Sequence, residues 1–322
     1  MKMLDALQEV IPGIECLIGI LGHALIVGVN VLDWKRSKKL NISDIILTSL
    51  GVFRLFLLST KLVQHAIHLS LPDDNETVGR ILLAVDLSLG YTCFWLTTWL
   101  YVFYCVRIAS FTHLVFLWLK ERISRLIPLL MACSVVISLA SGLPTPWYFY
   151  HLCYFNTTDG TSISEPDLQD VHSLEAGGCY YEEMVYVYTL GYALPFVIFC
   201  ISSSLLVASL GRHTWQMGKS NDIGLGNSHK VAHYRAVTSV LAFTFIFLVY
   251  FIILIFKVTN SITAHSFWEW FSPIVEAAYP SAHCVILILS NSKLRVVTTG
   301  ILCCMSCKTK QSASSNISQI ST

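Results

Sequence analysis

The sequence predicts an all-α fold, a bundle of seven helices that each cross a membrane. Seven long apolar stretches account for most of the chain, and Lys and Arg gather in every second gap between them. Composition agrees: 54% of residues are hydrophobic, 13% are charged and the mean hydropathy is +0.62, which leaves too little polar sequence for a separate soluble domain.

The hydrocarbon core of a bilayer takes about 20 helical residues to cross, because lipid offers nothing to satisfy a non-helical backbone. On that rule the spans fall near 9–31, 44–71, 80–106, 126–147, 184–210, 236–258 and 269–290. One membrane domain is expected over 1–295, with a cytoplasmic tail over 296–322.

The first span is too long for the apolar region of a cleavable signal peptide and is expected to act as an uncleaved signal anchor. The second carries Arg54, Lys61, His65 and His68 at spacings that put them on one helix face, and such a stripe must point into the bundle. In the third, Asp86 lies roughly 9 Å below Arg80 at the helical rise, with Leu83, Leu87 and Gly90 on its face. The fourth is bounded by Pro128, Pro144 and Pro146, and another apolar run, 111–119, precedes it. The fifth and sixth are defined by apolar length. The seventh has Glu269 at its mouth and Glu276 two turns deeper on the same side.

Charge sets the expected orientation. Sixteen of the 21 Lys and Arg residues fall in the gaps near 32–43, 107–125 and 211–235 and in the tail, whereas the alternate gaps are acidic, with Asp73, Asp74 and Glu76 in one and seven Asp and Glu in the other. The positive-inside rule then puts the N-terminus outside and the C-terminus in the cytoplasm. The basic clusters are short and flank spans, which argues against nucleic-acid binding. Cys153 and Cys179 share an expected outer gap, where a disulfide is open to them. Cys303, Cys304 and Cys307 follow the last span and are either palmitoylated or free thiols.

Charges within spans are costly and normally face a partner or a wet cavity. Arg54 either holds helices together or meets a ligand. Lys61, His65 and His68 either line a cavity or are simply solvated. Asp86 and Glu276 are pocket candidates that could instead pair with Lys61, Lys257 or Arg54, and the lone His23 and His113 read as structural. The chain has no Gly-rich phosphate loop, His-Glu-x-x-His or nucleophile elbow, no metal-site spacing and no cofactor motif, so neither catalysis nor a cofactor is expected. The odd span number without an internal repeat argues against a secondary transporter.

Several motifs in order resemble the bitter taste receptor family (taste receptor type 2) of seven-helix G-protein-coupled receptors. They are LGHALIVGVNVLDWKRSKKL, LTSLGVFRLFLL, LYVFYCVRIASFTHLVFLWLKERI, LPFVIFCISSSLLVASLGRHTWQM, AHYRAV and YPSAHCVILILSNSKLR. The third is similar to the family's Leu-x-x-Phe-Tyr-x-x-Lys-Ile-Ala signature, with Arg107 in place of Lys; His23, Ala282 and Cys284 stand where Asn, Gly and Ser are more usual. The chain thus looks like a divergent member.

The resemblance implies a multi-pass plasma-membrane receptor that binds diverse small bitter agonists among the outer helix halves. It also implies coupling to a heterotrimeric G protein of the gustducin and inhibitory class. Carried onto this chain, the cleft would include His65, Leu83, Asp86, Leu87, Gly90, Tyr188, Ile253, Lys257, Pro273 and Glu276, with Arg54, Tyr250 and His283 in the activation network below. Tyr104, Arg107, Lys120, His213, Met217 and Arg235 would lie at the coupling surface, and membrane lipid would surround the bundle. Asp86 would favour cationic ligands through a charge-assisted contact.

The sequons at Asn75 and Asn156 lie in expected outer gaps, and those at Asn41 and Asn316 on the cytoplasmic side. Endoglycosidase treatment is therefore expected to shift the electrophoretic mobility of the wild type but not of an Asn75→Gln/Asn156→Gln double variant. Glycan at Asn41 or Asn316 would reverse the topology.

Overall fold

In the computed structural model seven long helices follow one another: α1 (Lys2–Ser37), α2 (Ile42–Ser70), α3 (Glu76–Ile108), α4 (Leu114–Gly142), α5 (Cys179–Lys219), α6 (Asn227–Val258) and α7 (Phe267–Ser290). The structure describes residues 2–39, 41–70, 76–109, 114–147, 179–219, 227–258, 267–301 and 303, and there is no strand among them. Each helix contains a stretch of 20 to 32 residues apolar enough to cross a bilayer, so this is a seven-span membrane bundle.

The fourth element departs most from expectation. Its helix begins at Leu114, not near 126, because Lys120, Arg122 and Arg125 do not form a loop. They are exposed on a helix that buries Ile123 and Ile127 at i, i+4 spacing, and the Arg122 guanidinium lies 5.0 Å from the Trp118 ring centroid. A hydropathy average counts these charges against a helix even though the fold gives them somewhere to go.

Helices α7, α1, α2, α3, α5 and α6 close a ring, with α4 packed mainly on α3. Since lipid tails are as apolar as the helices, association rests on close packing and interhelical hydrogen bonds. One aromatic core joins α3, α5, α6 and α7 through Tyr91, Phe94, Tyr101, Phe199, Phe243, Phe247 and Tyr279. A second, aliphatic core joins α2, α3 and α4 through Ile46, Leu50, Leu96, Leu100, Ile123 and Ile127. Trp99 Nε1 donates to Ser134 Oγ at 2.9 Å, fastening α4 to α3. Thr98 Oγ1 donates to the Pro195 carbonyl at 3.1 Å, fastening α5 to α3.

At the end expected to face the cytoplasm, α7 stops at Asn291, whose Oδ1 accepts the Lys293 amide at 3.0 Å and so caps a new helix over 292–301. That helix straddles the domain boundary expected at 295. It is held to α1 and α2 by a polar chain: Lys293 Nζ is 2.5 Å from Asp33 Oδ2 and 3.5 Å from Asn30 Oδ1, and Asn30 Nδ2 donates to Thr48 Oγ1 at 3.1 Å. Leu294 is buried with Ile26 and Cys284 beside this chain.

The α3–α4 contact includes a backbone approach that only glycine allows. A Cβ at Gly142 would sit 2.7 Å from the Ser88 backbone nitrogen and 2.7 Å from its Cα, whereas one at Gly28 would meet nothing within 4 Å. Gly142→Ala is expected to lower the thermal midpoint of the detergent-purified protein, at an overpacking cost of about 1–3 kcal/mol. Gly28→Ala is expected to leave the midpoint unchanged or raise it through helix propensity. Equal behaviour of the two would remove the steric account.

Candidate functional site

Helices α2, α3 and α7 bring three charged side chains to one level. Lys61, Asp86 and Glu276 lie nine or ten residues from Ser70, Glu76 and Phe267, the respective helix ends, and thus about 14–15 Å inside the bundle. Lys61 Nζ donates to Asp86 Oδ2 at 3.3 Å and lies 3.8 Å from Glu276 Oε2. Ser272, one turn from Glu276, donates to its Oε1 at 3.2 Å. The three side chains keep 21%, 24% and 18% of their surface, so the ammonium is shielded without being sealed off. Asp86 Oδ1 is buried with no hydrogen-bond partner. Of the partners open to Asp86 in the sequence, the fold supplies Lys61.

Seven residues along α2, about two turns deeper, Arg54 is completely buried. It donates through Nη1 to His283 Nδ1, and through Nη2 to Tyr279 Oη at 3.0 Å and Thr97 Oγ1 at 3.2 Å. Its Cζ also lies 5.0 Å from the Tyr279 ring centroid. Because guanidinium only donates, His283 Nδ1 must accept and the ring proton sits on Nε2. Neutral acceptors on α3 and α7 thus hold the cation, and of the two roles open in the sequence it takes the network one. His23 joins α1 to the same layer through a 3.1 Å hydrogen bond from Nε2 to the Pro280 carbonyl.

An aromatic wall borders the charged layer. Leu87 is buried in the core that contains Tyr91, Phe94 and Tyr192, and Leu83 packs against it. Gly90 lets the Tyr192 hydroxyl approach, since a Cβ there would be 2.7 Å from it. Phe196 and Phe251 stack with centroids 3.5 Å apart, Tyr250 stacks on Tyr279 at 4.5 Å, and Phe94 lies 4.5 Å from Phe247. Ile253 is buried and Pro273 half-buried. His65 goes elsewhere: its ring faces Gly13 of α1, 4.0 Å from where a Cβ would stand, because an i+4 step from Lys61 rotates it toward that helix. The side chains of His68, Tyr188, Lys257 and Glu269 lie outside the described residues.

At the opposite end, Tyr104 and Arg107 line a groove of about 490 Å³ with Asn41, Ile42, Ser43, Phe103 and Ile108. Arg107 is exposed, 5.8 Å from the Phe103 ring centroid; Lys120 is exposed on α4 and Arg235 half-buried on α6. The side chains of His213, Met217 and Cys179, and residues Asn75, Cys153, Asn156, Cys304 and Cys307, fall outside the described residues, while Cys303 is an exposed free thiol. No metal-binding cluster occurs among the described residues.

Sequence reasoning singled out the charges but missed their acceptors. Thr97 and Tyr279 serve Arg54, and Asn30 and Asp33 serve Lys293, with Thr48 accepting in turn from Asn30. The available signal was polarity within apolar spans, the same signal that marked Arg54.

A seven-span bundle with a shielded charged layer near one end, a buried hydrogen-bonded cation below it and an Arg107-lined groove at the other end defines a membrane receptor of the G-protein-coupled class. The taste receptor protein (TAS2R) profile matches residues 2–306, and the chain belongs to that family, which consists of receptors and not enzymes. It is 32% identical over 312 residues to taste receptor type 2 member 3 of Homo sapiens, covering 95% of this chain and 96% of the relative. It is 31% identical over 300 residues to taste receptor type 2 member 8 of Pongo pygmaeus, covering 90% and 93%. With taste receptor type 2 member 7 of Rattus norvegicus the figures are 31% over 301 residues, 90% and 92%. It is a multi-pass membrane protein.

Arg54→Lys keeps the charge but lacks the fork needed to reach acceptors on two other helices. Leaving buried groups unmatched costs about 1–3 kcal/mol, against about 1 kcal/mol for the single hydroxyl lost in Tyr279→Phe. Thermal unfolding of the purified variants is expected to rank wild type above Tyr279→Phe above Arg54→Lys, and the reverse order of the two variants would refute the network's geometry.

Proposed function

We propose that this chain is a bitter taste receptor that binds small molecules in a cleft in the outer half of the bundle, with its N-terminus outside. Agonist binding activates a heterotrimeric G protein of the gustducin and inhibitory class. The observation that carries the reading is the partly open Lys61–Asp86–Glu276 layer set beside aromatic side chains of α3, α5 and α6. Such a layer gives a small ligand a polar anchor next to an apolar wall, the usual make-up of a small-molecule site. Leu83, Leu87, Gly90, Ile253, Pro273 and Glu276 line or support it, with Tyr188 and Lys257 as further members. Tyr104, Arg107, Lys120, His213, Met217 and Arg235 form the coupling surface.

The agonist acts by binding the active arrangement more tightly than the inactive one, which shifts a pre-existing equilibrium. Asp86 favours cationic ligands in this reading, because its carboxylate is the natural partner of an ammonium and one of its oxygens is unmatched.

The test is calcium release from cells that express the chain with a promiscuous chimeric G protein, screened against cationic and neutral bitter compounds. A dose-dependent signal that requires the chain is expected. Asp86→Ala is expected to raise the half-maximal concentration of cationic agonists about tenfold, from the loss of one charge-assisted hydrogen bond, with neutral agonists little changed. Equal losses for both would defeat the cationic preference, and silence at verified surface expression would leave the family membership standing and count against these bitter compounds as its agonists.

A further inference from the structure

Two carboxylates converge on a single ammonium in the Lys61 layer, and this asymmetry says more than that the layer is polar. Lys61 arrives from α2, while Asp86 and Glu276 approach from α3 and α7, so the ammonium is the only described bridge between those two acids. The two bonds are unequal, 3.3 Å to Asp86 and 3.8 Å to Glu276, and the second is at the outer limit of an ion pair. The Lys61 ammonium therefore fills its seat loosely, and Asp86 Oδ1 still faces the interior without a donor. All three side chains retain about a fifth of their surface, so the layer is partly open to solvent although Asp86 Oδ1 itself is buried. An ammonium is a compact point charge on a flexible four-carbon stem, and unlike the forked Arg54 below it has no geometry that ties it to one set of acceptors.

We infer that the seat between Asp86 and Glu276 is a site for one external organic ammonium ion, and that Lys61 is its built-in occupant. A cationic ligand enters by exchange: its ammonium takes the position between the carboxylates, and the Lys61 head swings out on its stem. The two carboxylates keep a cationic partner before and after, so neither acid is left as an unpaired ion in the low-dielectric interior, and the displaced Lys61 ammonium stays on its stem in the partly exposed part of the layer. Lys61 thus competes with every cationic ligand and sets an upper limit on the potency such ligands reach. A neutral ligand meets no such competitor. This inference rests on the ligand-cleft reading above and adds the ligand class and the residue that regulates access to it.

The experiment is thermal unfolding of the purified full-length protein in detergent, which involves no G protein. Lys61→Ala leaves the two carboxylates facing each other and is expected to lower the midpoint. n-Butylammonium chloride, which carries an ammonium on a four-carbon stem as lysine does, is expected to restore most of that loss at millimolar concentration in a saturable way. 1-Butanol, of the same length without the charge, and sodium chloride at matched ionic strength are expected to restore nothing. The wild type is expected to respond at least tenfold more weakly to n-butylammonium, because its seat is filled. A Lys61→Ala/Asp86→Asn/Glu276→Gln variant is expected not to respond. Should Lys61→Ala fail to fold, Lys61→Gln, which keeps length and hydrogen bonding, carries the same comparison. Equal effects of the ammonium and the alcohol, or a response that survives in the triple variant, would overturn the inference. Saturable ammonium stabilisation in a protein that gives no calcium signal would leave the seat standing and count against the bitter-agonist reading; a calcium signal without ammonium stabilisation would do the reverse.

Discussion

A guanidinium in the middle of a membrane bundle has no water to turn to, so the helices around it must be arranged to meet it. Arg54 imposes this on the rest of the molecule. Its fork takes Thr97 from α3 and both Tyr279 and His283 from α7, and those acceptors come into range only if three helices stand at particular rotations and heights. His283 then lies against Phe243 at 4.0 Å, and Tyr279 against Tyr250 and Phe247, so α6 takes its position from the same centre. Apolar packing alone would not choose among these arrangements, since helix faces rich in Leu, Ile and Phe slide past one another at little cost in lipid. The buried hydrogen bonds supply the specificity and the aromatic core then fills the space they define.

The charged layer above is built on other terms. Lys61 sits on the same face of α2 as Arg54, two turns on, and Glu276 precedes Tyr279 and His283 by three and seven residues on one face of α7. The two layers therefore share the same pair of helix faces but differ in chemistry. Below, a rigid fork meets neutral acceptors in full burial. Above, a flexible ammonium meets two carboxylates at partial exposure. The lower layer suits a structural pin, and the upper suits a place where one cation can replace another.

The fold was legible in the sequence because its signals are long: apolar runs of span length and basic residues in alternate gaps survive averaging over many positions. The start of α4 was not, because Lys120, Arg122 and Arg125 lower the hydropathy average over a stretch that also buries Ile123 and Ile127, and averaging does not register which positions are buried. Candidate charges were legible for a related reason, as a Lys, Arg or Asp in a span stands out from its neighbours. Their partners were not. Thr97, Tyr279 and Asn30 are unremarkable residue types, and only the relative rotation of distant helices, 43 to 225 residues apart for Arg54, brings them into range. The helical period put His65 and Lys61 on one broad face, yet a difference of about 40° per i+4 step was enough to send His65 to α1 while Lys61 pointed at Asp86.

The shared faces bear on how the two layers act on each other. Helices are stiff along their axes, so a shift of α7 relative to α2 that changes the Lys61–Glu276 distance is carried, nearly undiminished, to the Arg54–Tyr279 and Arg54–His283 bonds two turns away. The upper contact, at 3.8 Å, has slack. The lower bonds are fully buried and divide one rigid guanidinium among three acceptors, which leaves them less room to move. A small axial movement thus costs little where a ligand would bind and much at the pin, and a system of that kind resists gradual deformation. To change at all it would have to break the lower hydrogen bonds together, which is the physical condition for two discrete states and not a continuum.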